Sequence, residues 1–257
     1  MNISEPRAAE ASVEQFRGGT ATISGTLVPK LVFDLDGSGG VFFEHHTLLW
    51  KDAALNIELK KLPGGLKRKI AGLDFFLTMS HGPGRIAFSH DAPGKIVDHH
   101  LEPGQALLVR EHHFVAATEN LDYTFERVKG VRSMLFGGSG FFVDKFGATN
   151  GRASVWVMGA GDVFEADLGA GEQIDIEAGS WLYRDPSVRM EAVTMGLKTG
   201  LFGGGGKLTW NRFTGPGRVG IQTMFYNPAA LVEGVAGSGT AKAAGIGAII
   251  GGLAEGV

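Results

Sequence analysis

The chain has 257 residues, of which 41 are glycine and 9 proline, with a formal net charge of −3 and no cysteine. Glycine at more than twice its usual ~7% excludes long helices as the main source of order, and the lack of a Gly-X-Y period excludes collagen. An apolar content of 44% excludes general disorder, the missing cysteines remove disulfides, thiolate catalysis and sulfur-ligated metal centres, and the near-neutral charge speaks against a dedicated nucleic-acid binder.

Residues 1–25 carry Glu5, Arg7, Glu10, Glu14 and Arg17 and lack the apolar run of a secretory signal, so they read as an N-terminal arm of a cytoplasmic protein. From residue 26 to 226 short apolar or alternating runs bounded by glycine or proline predict strands. These cover 54–59, 75–79, 106–109, 141–143, 153–157, 163–166, 173–176 and 208–213. No window there sustains a 3.6-residue apolar period. Residues 227–257 form a Gly/Ala-rich tail with a helix-friendly stretch around 240–244. Its apolar part, 235–253, contains Lys242 and few large side chains, which makes it a poor membrane span.

The central part repeats itself. Glycine clusters centred on Gly72, Gly138 and Gly204 are each 66 residues apart. Second turns follow at Gly84, Gly151 and Gly217, and each is followed directly by an arginine: Arg85, Arg152 and Arg218. Upstream, Trp50-Lys51-Asp52, Ala117-Thr118-Glu119 and Tyr183-Arg184-Asp185 recur at offsets of 67 and 66. The expected fold is all-β: three tandem β-sandwich-like repeats of about 66 residues around a pseudo-threefold axis, each covering an edge or face of the next. The six glycines are expected at structural turns.

In this order and spacing, Gly64-Gly65-Leu66-Lys67-Arg68, Leu135-Phe136-Gly137-Gly138-Ser139-Gly140-Phe141, Leu201-Phe202-Gly203-Gly204-Gly205-Gly206 and Thr214-Gly215-Pro216-Gly217-Arg218-Val219 resemble the AIM24 family over residues 25 to 226. The resemblance implies an all-β fold similar to that of the tryptophan RNA-binding attenuation protein (TRAP-like), assembled as a homo-oligomer, with no implied tryptophan or RNA. It supplies no catalytic residues.

Three Glu/Asp-His-His runs are the sharpest local chemistry: Glu44-His45-His46, Asp98-His99-His100 and Glu111-His112-His113. Imidazole plus carboxylate is a donor set for zinc, iron or manganese. Candidate metal ligands are therefore His45, His46, His112, His113, Glu44 and Glu111. The third repeat has Glu177-Ala178-Gly179 at the matching place, which favours turn histidines on a repeated scaffold. Arg85, Arg152 and Arg218 are expected either to ring an anion or to make contacts between repeats. Glycine clusters followed by strand-like runs do not form a phosphate loop, and no G-x-S-x-G marks a hydrolase nucleophile.

The repeated residues serve geometry and packing, so the expected function is a non-enzymatic oligomeric scaffold or binding module. A trimer is favoured, with an unknown protein partner, no cofactor and no nucleic acid. The alternatives are a metal-dependent, cupin-like enzyme built on the paired histidines, and a membrane-associated organiser acting through the tail.

Overall fold

The computed structural model describes residues 2–3, 12–61, 76–127, 142–194 and 209–224, all within one compact unit, Met1–Tyr226. The fold is all-β, with several antiparallel sheets and a single 3-10 turn at His45–Thr47 among the described residues. None of their helices is long and apolar enough to cross a membrane. The glycine clusters at Gly72, Gly138 and Gly204, and the tail with its expected helix, lie outside the described residues.

Three short strands come first: β1 (Asn2–Ile3), β2 (Ser12–Phe16) and β3 (Gly19–Ser24). A first set of six follows: β4 (Lys30–Asp36), β5 (Val41–Phe43), β6 (Leu48–Lys51), β7 (Asn56–Lys61), β8 (Phe76–His81) and β9 (Pro83–Phe88). The next six are β10 (Gly94–Leu101), β11 (Ala106–Arg110), β12 (Phe114–Thr118), β13 (Leu121–Arg127), β14 (Phe142–Ala148) and β15 (Ala153–Ala160). The last six are β16 (Val163–Leu168), β17 (Gln173–Glu177), β18 (Trp181–Arg184), β19 (Arg189–Thr194), β20 (Thr209–Thr214) and β21 (Gly217–Gln222).

Within each set the sixth strand pairs with the first and the third, as in β4·β9·β6, β10·β15·β12 and β16·β21·β18. The fifth strand pairs with the second and the fourth, as in β5·β8·β7, β11·β14·β13 and β17·β20·β19. Every third-to-sixth ladder carries an irregularity, at Leu48/Trp50, Phe114/Ala116 and Trp181/Tyr183. Such a bulge re-aims the strand and bends the sheet.

Two ladders cross between sets. β5 pairs with β12 (Phe43↔Ala116, Phe42↔Ala117) and β11 pairs with β18 (Val109↔Tyr183, Leu108↔Arg184). They fuse neighbouring half-sets into a six-stranded sheet, β10-β15-β12-β5-β8-β7, and a seven-stranded sheet, β1-β16-β21-β18-β11-β14-β13. A five-stranded sheet ending at β6 and a three-stranded sheet ending at β17 remain. No ladder joins β6 to β17 among the described strands.

The four sheets stack with three apolar layers between them. Leu31, Phe33, Leu35 and Phe88 of the five-stranded sheet meet Phe43, Val115 and Trp156 of the six-stranded one. Phe42, Phe114 and Val155 on its other face meet Leu107, Val109 and Phe146 of the seven-stranded sheet. Leu108, Trp181 and Val219 then meet Ile176 and Phe213 of the three-stranded sheet. Successive residues of a strand point to opposite faces, so Leu107 and Leu108 serve different layers. A strand buried on both faces needs a continuous apolar run, as Ala153–Ala160 shows with all eight residues buried. On β4, with one buried face, Leu31, Phe33 and Leu35 alternate with less buried neighbours.

Candidate functional site

Two of the three recurring arginines sit in matching polar pairs. Arg85 faces Asp34 in the β4–β9 ladder and Arg218 faces Asp167 in the β16–β21 ladder. The backbone N–H of Arg85 donates to Asp52 Oδ2 at 2.9 Å, and its Nη2 lies 3.5 Å from Oδ1. The backbone N–H, Nε and Nη2 of Arg218 donate to the Asp185 carboxylate at 2.8, 3.2 and 3.1 Å. The backbone donor, with the guanidinium behind it, holds the Asp52 carboxyl below its ordinary value. These pairs lie inside one six-strand set each, so Arg85 and Arg218 do not bridge sets.

The middle set departs from this scheme. There the ladder places Ser154 opposite His100. The Ser154 N–H donates to Thr118 Oγ1 at 3.1 Å, the role Asp52 and Asp185 play elsewhere. Arg152 lies two residues earlier, in the connection between β14 and β15, with its Nε 3.5 Å from an exposed Glu102. A Gly-Arg match in the sequence aligned Arg152 with Arg85 and Arg218. The structural equivalent is Ser154, because four residues connect β14 to β15 where Gly82 alone connects β8 to β9.

Where a long arginine would stand, β2 brings in a carboxylate. Glu14 Oε1 accepts from Ser154 Oγ at 3.0 Å and lies 3.1 Å from His100 Nδ1. His100 Nε2 is 3.3 Å from Asp98 Oδ2, and its Nδ1 is 3.1 Å from Ser154 Oγ. Asp98 and His100 share one face of β10 because they are two residues apart on a strand. β2 is held over this face by Phe16, whose ring packs edge-on against Phe33 and Trp156 with centroids 5.5 and 5.9 Å away. Burial pushes the Glu14 carboxyl up, against the opposing pull of His100 and the Ser154 hydroxyl. A cleft of about 360 Å³ opens beside it, lined by Glu14, Arg17, Thr118, Asn120, Arg152 and Ser154.

The two Glu-His-His turns behave as turns. His45 is exposed in the 3-10 turn, and His46 Nδ1 lies 3.3 Å from Glu44 Oε2. His112 is exposed with φ 68°, and its Nε2 is 3.8 Å from Glu111 Oε1, whose carboxyl is raised by burial. His113 is buried, with Nδ1–H donating to the Met158 carbonyl at 2.7 Å. Burial first, and then the Arg110 charge, lowers its pKa to about 3. The His46 ring lies 6.0 Å from that of His90 in the β9–β10 connection, and His90 Nε2 is 3.3 Å from the His112 carbonyl oxygen. Among the described residues, however, three donor atoms lie within 4.8 Å of one another at Glu14, Asp98 and His100, and not at either turn. The sequence flagged Asp98 and His100 as one of three similar runs but gave no sign of Glu14, which is 84 residues upstream of Asp98. Gly84, Gly151 and Gly217 have φ of 141°, 94° and 131°, the region that favours glycine; Gly151 lies in the β14–β15 connection, whereas Gly84 and Gly217 lie at the starts of β9 and β21.

Stacked antiparallel sheets built from three like-paired strand sets define an all-β protein. The sequence model of the AIM24 family, described as mitochondrial biogenesis AIM24, matches residues 21–224. The chain belongs to the AIM24 family. Its fold is similar to the crystal structure of protein SPYM3_0169 from Streptococcus pyogenes, at a TM-score of 0.62 and 19% identity over 88% of this chain and 98% of that one. No curated protein matches.

Proposed function

We propose that the protein is a non-enzymatic, TRAP-like scaffold of three tandem units that assembles head to tail in the cytoplasm, with a trimer as the favoured closed form. One observation carries this reading. The second strand of each of the first two sets pairs with the third strand of the next, in β5·β12 and β11·β18. Among the described strands, that leaves β17 as the second strand without such a partner and β6 as the third strand without one. An open edge presents unpaired backbone donors and acceptors, and natural sheets cover or charge such edges. β6 instead carries Leu49 and Trp50, exposed by 55% and 38%. Pairing β6 with β17 inside one chain would place the units around a pseudo-threefold axis; pairing between chains repeats the internal junction and closes a ring when the rotation allows. The separation of the two edges into different sheets favours pairing between chains.

The test is mass in solution. The full chain is expected at a multiple of its 27.1 kDa, and a Leu49→Lys, Trp50→Lys double variant is expected at the single-chain mass. A wild-type protein that runs as a monomer at micromolar concentration removes the proposal.

A further inference from the structure

We propose that Glu14, Asp98 and His100 bind one divalent first-row metal ion, and that this ion pins strand β2 onto the middle strand set. The inference is independent of how chains assemble. It rests on a comparison internal to the molecule. In the first and last sets the position of Ser154 is filled by Arg85 or Arg218, whose guanidinium sits on an aspartate at the position of Thr118. A cation already occupies that place in both flanking sets, as part of the chain. The middle set replaces the arginine with serine and the aspartate with threonine, and His100 stands where Asp34 and Asp167 stand.

The cationic side chain is lost, yet two carboxylates gather at this place. Asp98 lies where the equivalent strands have Val32 and Glu165, and Glu14 arrives from outside the set. One donor atom from each of the three residues lies within 4.8 Å of the other two. An imidazole gives one nitrogen to one ion, and donors bound at about 2.1 Å around a tetrahedral ion stand about 3.4 Å apart; the 3.3 Å contact of His100 Nε2 with Asp98 Oδ2 already has that spacing, while Glu14, which lies at the other ring nitrogen, closes from within 4.8 Å. Glu14 Oε2 is buried and has no hydrogen-bond partner among the described residues. Two carboxylates neutralise one divalent charge, and an imidazole in the set selects zinc, manganese or iron over magnesium and calcium. Ser154 Oγ, bonded to both Glu14 and His100, orients these ligands as second-layer groups do at metal centres. The ion ties β2 to β10 and thereby covers the core residues Phe33 and Trp156, on which Phe16 rests.

The experiment titrates Zn²⁺ into chelator-treated full-length protein by calorimetry, with Co²⁺ absorption as an independent report of the ligand field. Wild type is expected to take one equivalent per chain, undisturbed by excess Mg²⁺, and Zn²⁺ is expected to raise its unfolding temperature. Glu14→Gln, Asp98→Asn and His100→Gln are each expected to weaken binding at least tenfold and to abolish the thermal shift. A His45→Gln, His112→Gln double variant should bind as wild type does. Glu14→Gln lies on an outer strand, so it decides the matter if either β10 variant fails to fold. Absence of saturable binding at one equivalent overturns the proposal, as does wild-type affinity in Glu14→Gln or loss of binding in the double variant.

Discussion

Ser154 stands directly opposite His100 in the β10–β15 ladder, at the place where the flanking sets pair arginine with aspartate. The backbone frame is the same at all three places, and the side chains are not. The N–H of residue 85, 154 or 218 always donates to a side-chain oxygen at the end of the third strand, from Asp52, Thr118 or Asp185. The scaffold therefore fixes where a polar group must be and leaves its charge free to vary.

The first prediction concerns the two retained ion pairs. Asp185 accepts three bonds from Arg218 and is mostly buried on its side chain, whereas Asp52 and Arg85 are more exposed. Charge-assisted bonds sheltered from water count for more than exposed ones. Asp185→Ala is expected to cost about 1–2 kcal/mol in urea unfolding, and Asp52→Ala clearly less. Equal losses would mean that the backbone bond alone sets the stability at both sites.

A second prediction follows from His113. Its pKa is about 3 in the folded protein, against 6.5 as its ordinary value. The folded state thus resists a proton that the unfolded chain accepts, so this contribution is complete above pH 6.5 and is lost as pH falls towards 3. Between pH 7 and pH 5 the loss amounts to about 2 kcal/mol. A His113→Gln variant should lose about that much less stability over the same interval. If wild type and variant decline in parallel, the imidazole is not held neutral by the fold.

The all-β character was legible because short alternating runs bounded by glycine or proline recur in the chain itself. The strands predicted at 106–109, 153–157 and 173–176 all fall inside observed ones. The Asp–Arg pairs at 52/85 and 185/218 share one spacing, 33 residues. The middle equivalent, Thr118 to Ser154, spans 36. Identity of residue type then drew Arg152 into the wrong place, since no pattern marks a serine as the successor of an arginine. Glu14 was beyond sequence reasoning for a different cause. Its contact with Asp98 and His100 depends on Phe16 docking against Phe33 and Trp156, a packing event that no spacing encodes.

That docking is itself testable. Phe16 is half-buried and contributes two edge-to-face aromatic contacts, each worth about 0.5–1.5 kcal/mol beyond area burial. Phe16→Ala is expected to free β2 while leaving the stacked sheets intact. Hydrogen exchange should rise at amides 12–16, with protection on β10 and β15 unchanged. Global loss of protection would show that β2 is integral to the fold rather than laid over it.

Two strand glycines separate close packing from open space. A Cβ at Gly220 would fall inside van der Waals contact of the Tyr183 ring, whereas a Cβ at Gly147 would meet nothing within 4 Å. Tyr183 has nowhere to go: it is fully buried, packs its ring against His99 at 4.2 Å and donates its hydroxyl to Glu165 at 2.8 Å. Gly220→Ala is therefore expected to cost about 1–3 kcal/mol by overpacking, with a change in the near-ultraviolet tyrosine signal. Gly147→Ala should stay within about 0.5 kcal/mol of wild type. If the two substitutions cost the same in urea unfolding, the contact between β18 and β21 yields more readily than the buried ring implies, and the bulge at Trp181/Tyr183 is where it would give.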